Sequence, residues 1–203
     1  MKRYGLLLGP ISGLIFVLGV AGLAAVVPGY SHVRQTVSEI GEVGSPAQMP
    51  FMIMLLAIAL CLFGFALALR RVSVSAGHSP LSAYLAACMA ISVAGVGIFA
   101  FPHPLHNVFG ISELIGYQTP IAFALTWRND PRVKGTVVFS WIAYVVVLIA
   151  IVVNLSSLDP GGQVWHRIRP FIGVAQRVLF IGWFAWCAGI GLSLYGSMAG
   201  AAK

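Results

Sequence analysis

The chain has 203 residues, 59% hydrophobic and only 8% charged, against about a quarter charged in an ordinary soluble domain. That balance excludes a soluble globular protein, and the abundance of Leu, Ile, Val and Phe excludes intrinsic disorder. A formal net charge of +7 would suggest nucleic acid as partner of a soluble chain, but here the basic residues flank apolar runs, so the charge is a topology signal and no nucleic-acid partner is expected.

A bilayer span uses about 20 apolar residues. Six such stretches can be drawn, at about 6–27, 49–69, 82–101, 105–126, 134–154 and 171–195. The expected fold is therefore all-α: one polytopic integral membrane bundle of six transmembrane helices across residues 1–203, with no room for a separate soluble domain. The first stretch follows Lys2 and Arg3 but exceeds the roughly 7–15 residues of a signal-peptide core, so it is expected to be retained as a span. Pro28 and Gly29 end it.

The next segment, 30–42, places Val33, Val37 and Ile40 on one side of a helical wheel. His32, Gln35, Thr36 and Glu39 lie beside them, and Thr36 with Glu39 has capping-box spacing. This predicts a short extracytoplasmic amphipathic helix, read either as a cover for the bundle or as a polar lid over a site. Pro50 opens the second span, and Pro102 and Pro104 break the third from the fourth, predicting a tight helical hairpin.

In the fourth span His106, Gly110, Glu113 and Tyr117 recur at spacings of four, three and four, one face of a helix. Glu113 falls roughly 10 Å below the helix start. Exposing a charge to lipid costs about 2.5–3.5 kcal/mol, so Glu113 should face the bundle interior. Arg177 enters the sixth span to a comparable depth. The expectation is an ion pair between Glu113 and Arg177, or a network with Gln176 and Tyr117, serving either as a clamp between helices or as the wall of a cavity opening outward. Pro120 is expected to kink the fourth helix.

Small residues at helical spacing, such as Gly9 with Gly13 and Ala185 with Gly189, read as helix contact faces. Tyr4, Trp127, Trp165 and Tyr195 read as interfacial anchors. Cys61, Cys88 and Cys187 lie in apolar runs and read as small hydrophobes.

Cytoplasmic loops collect Lys and Arg. Lys2, Arg3, Arg70, Arg71, Arg128, Arg132, Lys134 and Lys203 fall on one side, and Arg34, Arg167, Arg169 and Arg177 on the other. The bias puts both termini in the cytoplasm of a plasma-membrane protein. The extracytoplasmic face then receives His32, Arg34, Glu39, His103, His106 and His166.

Two chemistries suit that face. His103 and His106, straddling a helix start, offer zinc ligands with Glu113, leaving a position for water and hence a metal-dependent hydrolase. Alternatively, the four outer arginines suit a phosphate or carboxylate on an anionic or zwitterionic amphiphile, with apolar walls for its tail. Ser31, Ser38 and Ser112 lie near candidate bases, but HExxH, GxSxG, GxGxxG and P-loop motifs are absent, and no paired histidines lie deep enough for haem.

The run Tyr30-Ser31-His32-Val33-Arg34-Gln35-Thr36-Val37-Ser38-Glu39-Ile40-Gly41 resembles the characteristic segment of a prokaryotic membrane family called domain of unknown function 998. The Pro102-His103-Pro104-Leu105-His106 break and the Gly173-Val174-Ala175-Gln176-Arg177 helix start are similar to the same family, so the resemblance covers nearly the whole chain. It implies a compact protein of about six spans and assigns no activity.

The leading reading is a membrane protein whose outward-facing polar cavity binds a membrane lipid or small amphiphile, as a binding, sensing or accessory component. Its candidate residues are His32, Arg34, Glu39, His103, His106, Glu113, Tyr117, Gln176 and Arg177. The alternatives are a metal-dependent membrane hydrolase using His103, His106 and Glu113, and an assembly subunit without a ligand.

Overall fold

The computed structural model describes residues 4–200, so Lys2, Arg3 and Lys203 of the charge count lie outside the described residues. The chain is an all-helical membrane bundle, 80% helix with no strand among the described residues. A 3-10 turn at Tyr4–Leu7 leads into α1 (Leu8–Ala24), followed by α2 (Gln48–Ser75), α3 (Leu81–Ile98), α4 (Pro104–Gly116), α5 (Thr119–Thr126), α6 (Lys134–Leu155), α7 (Gln163–Ile168) and α8 (Ile172–Gly200). Six helical stretches are long and apolar enough to cross a membrane, α4 and α5 together making the fourth.

α2 runs past Arg70 and Arg71, beyond the expected end at 69, because nothing in that stretch interrupts a helix. It stops at Gly77, whose φ of +77° lets the Gly77 amide reach the Val74 carbonyl and the His78 amide reach that of Ser73, a Schellman closure.

The spans form a ring in chain order. α1 packs on α2, α2 on α3, α3 on α4 and α5, α5 on α6, α6 on α8, and α8 back on α1. The fourth span breaks where Pro120 predicts. Pro120 has no amide hydrogen for the Gly116 carbonyl, and that carbonyl accepts instead from Thr119 Oγ1 and from the Trp183 indole at 3.2 Å. Gln118 Nε2 donates to the Leu114 carbonyl. Freed backbone groups inside a bilayer need such partners. The break separates two roles: α5 packs along α6, whereas among the described residues α4 leans on α3 and has no comparable contact with α6 or α8. A gap opens there.

The opposite rim is held by Asp130. Its carboxylate accepts from Arg132 Nε at 2.9 Å and Arg132 Nη2 at 2.7 Å, and lies 3.0 Å from His78 Nε2. Trp127 is buried beneath the His78 ring, 4.1 Å between centroids, so it is a core residue rather than the interfacial anchor its sequence position predicts. Arg132, then His78, hold the Asp130 carboxyl far below the usual carboxylate range. Because the folded state favours the ionised form, this stabilisation is complete above the ordinary value of about 3.9 and is withdrawn as pH falls below it. Asp130→Asn is expected to lower the melting midpoint at neutral pH and to flatten its decline between roughly pH 5 and pH 2, followed by thermal unfolding in detergent.

Candidate functional site

The site is built on the loop between α1 and α2. The expected amphipathic helix over 30–42 does not form: the segment is a series of turns ending in a 3-10 turn, Ser38–Gly41. The reason is competition for its backbone groups. In a helix the Thr36 amide would donate to the His32 carbonyl and the Val37 amide to that of Val33. Here the Thr36 amide donates to Glu39 Oε1 at 2.8 Å, and the Val37 amide to Gln176 Oε1 at 2.6 Å. The released His32 carbonyl accepts from Arg177 at 2.8 Å, and that of Val33 from the Gly173 amide at 3.0 Å. Glu39 within the loop and groups on α8 thus replace the bonds of the helix the loop would have made alone.

Arg177 is the centre of this docking. Its Nη1 also donates to the carbonyls of Gln35 at 3.2 Å and Gly173 at 2.8 Å. Its Nη2 donates to the Tyr30 hydroxyl at 2.7 Å, which itself donates to the Thr36 carbonyl. Burial pushes the Tyr30 phenol up in spite of the guanidinium beside it. The His32 imidazole, although exposed, is pushed down, first by partial desolvation against the loop and then by the Arg177 charge. The expected Glu113–Arg177 pair is therefore absent: the guanidinium is occupied by loop acceptors, and among the described residues the only ion pairs are those of Asp130.

Between α4 on one side and α6 and α8 on the other lies a cavity of about 530 Å³, capped by Thr36, Ser38 and Glu39. Its polar lining includes His106, Asn107, Glu113, Tyr117, Asn154, Ser157 and Gln176, and its apolar wall includes Ile111, Leu114, Ile151, Leu155, Leu158 and Leu179. No Lys or Arg lines it. A smaller apolar pocket of about 40 Å³ continues inward, sharing Ser38, Glu113 and Tyr117 and walled by Phe16, Leu55, Ile58, Trp183 and Phe184.

Glu113 is 7% exposed. Its Oε2 accepts from the Tyr117 hydroxyl at 3.0 Å, and its Oε1 has no donor among the described residues. His106, 6% exposed, is held at both nitrogens: Nδ1 lies 2.8 Å from the Phe99 carbonyl and Nε2 3.0 Å from Ser38 Oγ.

The other candidates are dispersed. His103 caps α4, its Nδ1 accepting from the Leu105 amide at 3.1 Å, with its ring stacked on Phe99. The expected zinc set of His103, His106 and Glu113 is not assembled: among the described residues no three His, Cys, Asp or Glu side chains converge as metal ligands. His32 is exposed at the loop edge, its ring edge-on to Tyr30. Arg34, Arg167 and Arg169 are exposed and do not line the cavity. Glu39 spends its oxygens on Thr36 and Gln35 within the loop.

Sequence reasoning missed three participants: Tyr30 as an Arg177 partner, Gly173 as the point of closest approach, and Ser38 as the partner of His106. The signal was the set of three short motifs. Tyr30–Gly41 docks on Gly173–Arg177, and the Pro102–His106 break reaches the same loop through the His106–Ser38 bond.

A family model described as "Protein of unknown function (DUF998)" matches residues 10–193. No curated protein and no solved structure matches the chain.

Proposed function

The chain belongs to the DUF998 family, and from that premise we propose that it is a plasma-membrane protein with both termini cytoplasmic, whose cavity under the Thr36–Glu39 cap binds the head of an amphiphile from the outer leaflet. Its role is binding, sensing or accessory. The observation that carries this reading is one cavity of about 530 Å³ lined by both polar and apolar side chains, within the roughly 300–1,000 Å³ usual for ligand sites. The tail lies along Ile111, Leu114, Leu155 and Leu158.

The lining also favours one kind of head. With Glu39 and Glu113 present and every Arg and Lys elsewhere, an anionic head would meet carboxyl groups and no cation. A neutral hydroxyl-rich or cationic head, donating to Glu113 Oε1, suits the site instead. The phosphate or carboxylate expected from sequence to meet Arg34, Arg167, Arg169 or Arg177 is not part of this reading, because Arg177 is occupied by the loop and the other three do not line the cavity.

Gly110 gives the test. It lines the cavity, and a Cβ added there meets nothing within 4 Å. Gly110→Phe is therefore expected to fill the cavity from a helix that tolerates it, with no fall in melting midpoint, since Gly in a helix interior costs roughly 0.5–1 kcal/mol. Native mass spectrometry of protein released from mild detergent should show a bound amphiphile in the wild type and none in Gly110→Phe. A wild type that carries none, even after incubation with a long-chain alkylamine or alkyl polyol, overturns the proposal.

A further inference from the structure

The hydrogen bond between Ser38 and His106 joins residues 68 apart in the chain, and neither is needed to explain amphiphile binding. A carbonyl only accepts, so His106 Nδ1 carries the proton it gives to Phe99. In the neutral ring Nε2 is then left as a base facing the Ser38 hydroxyl at 3.0 Å. Nucleophile, base and a third group orienting the base form the arrangement that activates a serine. It is placed where a reaction has room: Ser38 lines both the large cavity and its inner extension, and His106 lines the large one. Gln176 adds a donor. Its Oε1 is fixed by the amide of Val37, immediately before Ser38; the residue lines the same cavity, and its Nε2 has no acceptor among the described residues.

We propose that Ser38 and His106 are a nucleophile–base dyad, oriented by the Phe99 carbonyl, that cleaves an ester-linked amphiphile held in the cavity. This rests on the binding reading above and extends it from occupancy to acyl transfer. Ser38 Oγ forms a bond to the acyl carbon while its proton passes to His106 Nε2. The ester C–O bond breaks, and His106 returns that proton to the leaving alcohol. Water then attacks the acyl-serine carbon, losing a proton to His106, which restores the Ser38 hydroxyl as the free acid departs. The Gln176 amide donates to the oxyanion in both halves.

The test uses the full chain in mild detergent and a long-chain alkyl fluorophosphonate. In that probe Ser38 Oγ bonds to phosphorus, the P–F bond breaks, and fluoride leaves with the proton taken by His106. Intact-mass analysis should show one adduct, mapped to Ser38. It should be absent in Ser38→Ala, formed at least about 100-fold more slowly in His106→Gln, and unchanged in Ser112→Ala, whose hydroxyl has Ser92 and the Phe109 carbonyl as partners and no base. Melting midpoints near wild type identify variants that remain folded. Protein that retains an alkylamine or alkyl polyol but gains no adduct at Ser38 overturns the dyad and leaves the binding reading intact. Equal labelling of Ser38 in folded His106→Gln also overturns it. Protein that takes up neither amphiphile nor probe overturns both.

Discussion

Gly173→Ala is expected to detach the loop between α1 and α2 from α8. A Cβ at that position would stand 2.4 Å from the Gln35 carbonyl oxygen, 2.5 Å from that of His32 and 2.9 Å from that of Val33. All three are backbone atoms, and no rotamer change relieves them. The loop must move, and with it go the bonds from Arg177 to His32, Gln35 and Tyr30. The expected loss is about 3 kcal/mol, the upper range for overpacking, read as a fall in melting midpoint together with faster amide exchange across residues 30–41.

Arg177→Ala reaches the same state by removing donors rather than adding a clash. Hydrogen bonds to a charged group are worth about 1.5–3 kcal/mol each, so a loss of about 3–5 kcal/mol is expected. Arg177→Lys should fall between, because an ammonium cannot span the same fork of acceptors. Glu113→Ala combined with Arg177→Ala should be additive to within about 0.5 kcal/mol. A larger coupling energy would contradict the absence of a pair between them.

Gly116→Val is expected to disturb the bundle and the cavity together. A Cβ on Gly116 meets the Met89 Cβ at 2.5 Å and the Met89 Cα at 3.0 Å, so α3 itself must yield. The lean of α4 on α3 is what holds open the space between α4 and the pair α6 and α8. Pushing α4 off α3 drives it toward that space. A destabilisation of about 2–3 kcal/mol is expected, with loss of bound amphiphile in native mass spectrometry. Gly110→Phe makes the useful contrast, since it removes the ligand with the melting midpoint unchanged. A stable Gly116→Val protein that retains its amphiphile would show that α4 does not set the cavity width.

The comparison of residues 30–42 with α4 shows where sequence reading succeeds. On α4 and its C-cap, the face of His106, Gly110, Glu113 and Tyr117 is inward as its spacing predicts, and all four line the cavity. A bilayer makes that inference strong, because a carboxylate turned toward lipid is costly. In residues 30–42 the helical spacing was equally clear, yet the helix is absent. Nothing local reveals that Gln176 and Arg177, some 140 positions later, take the bonds a helix needs.

What the sequence determined by itself was the six-span helical architecture, the break at Pro120 and the inward face of α4. These follow from the transfer cost of apolar and charged groups and from the missing amide of proline, and each acts over one turn or one span. Only the tertiary structure decided the partners. It gave Arg177 to the loop carbonyls and Tyr30 instead of Glu113, and Ser38 to His106 instead of solvent, because a guanidinium or an imidazole satisfies whichever acceptors packing brings within about 3 Å.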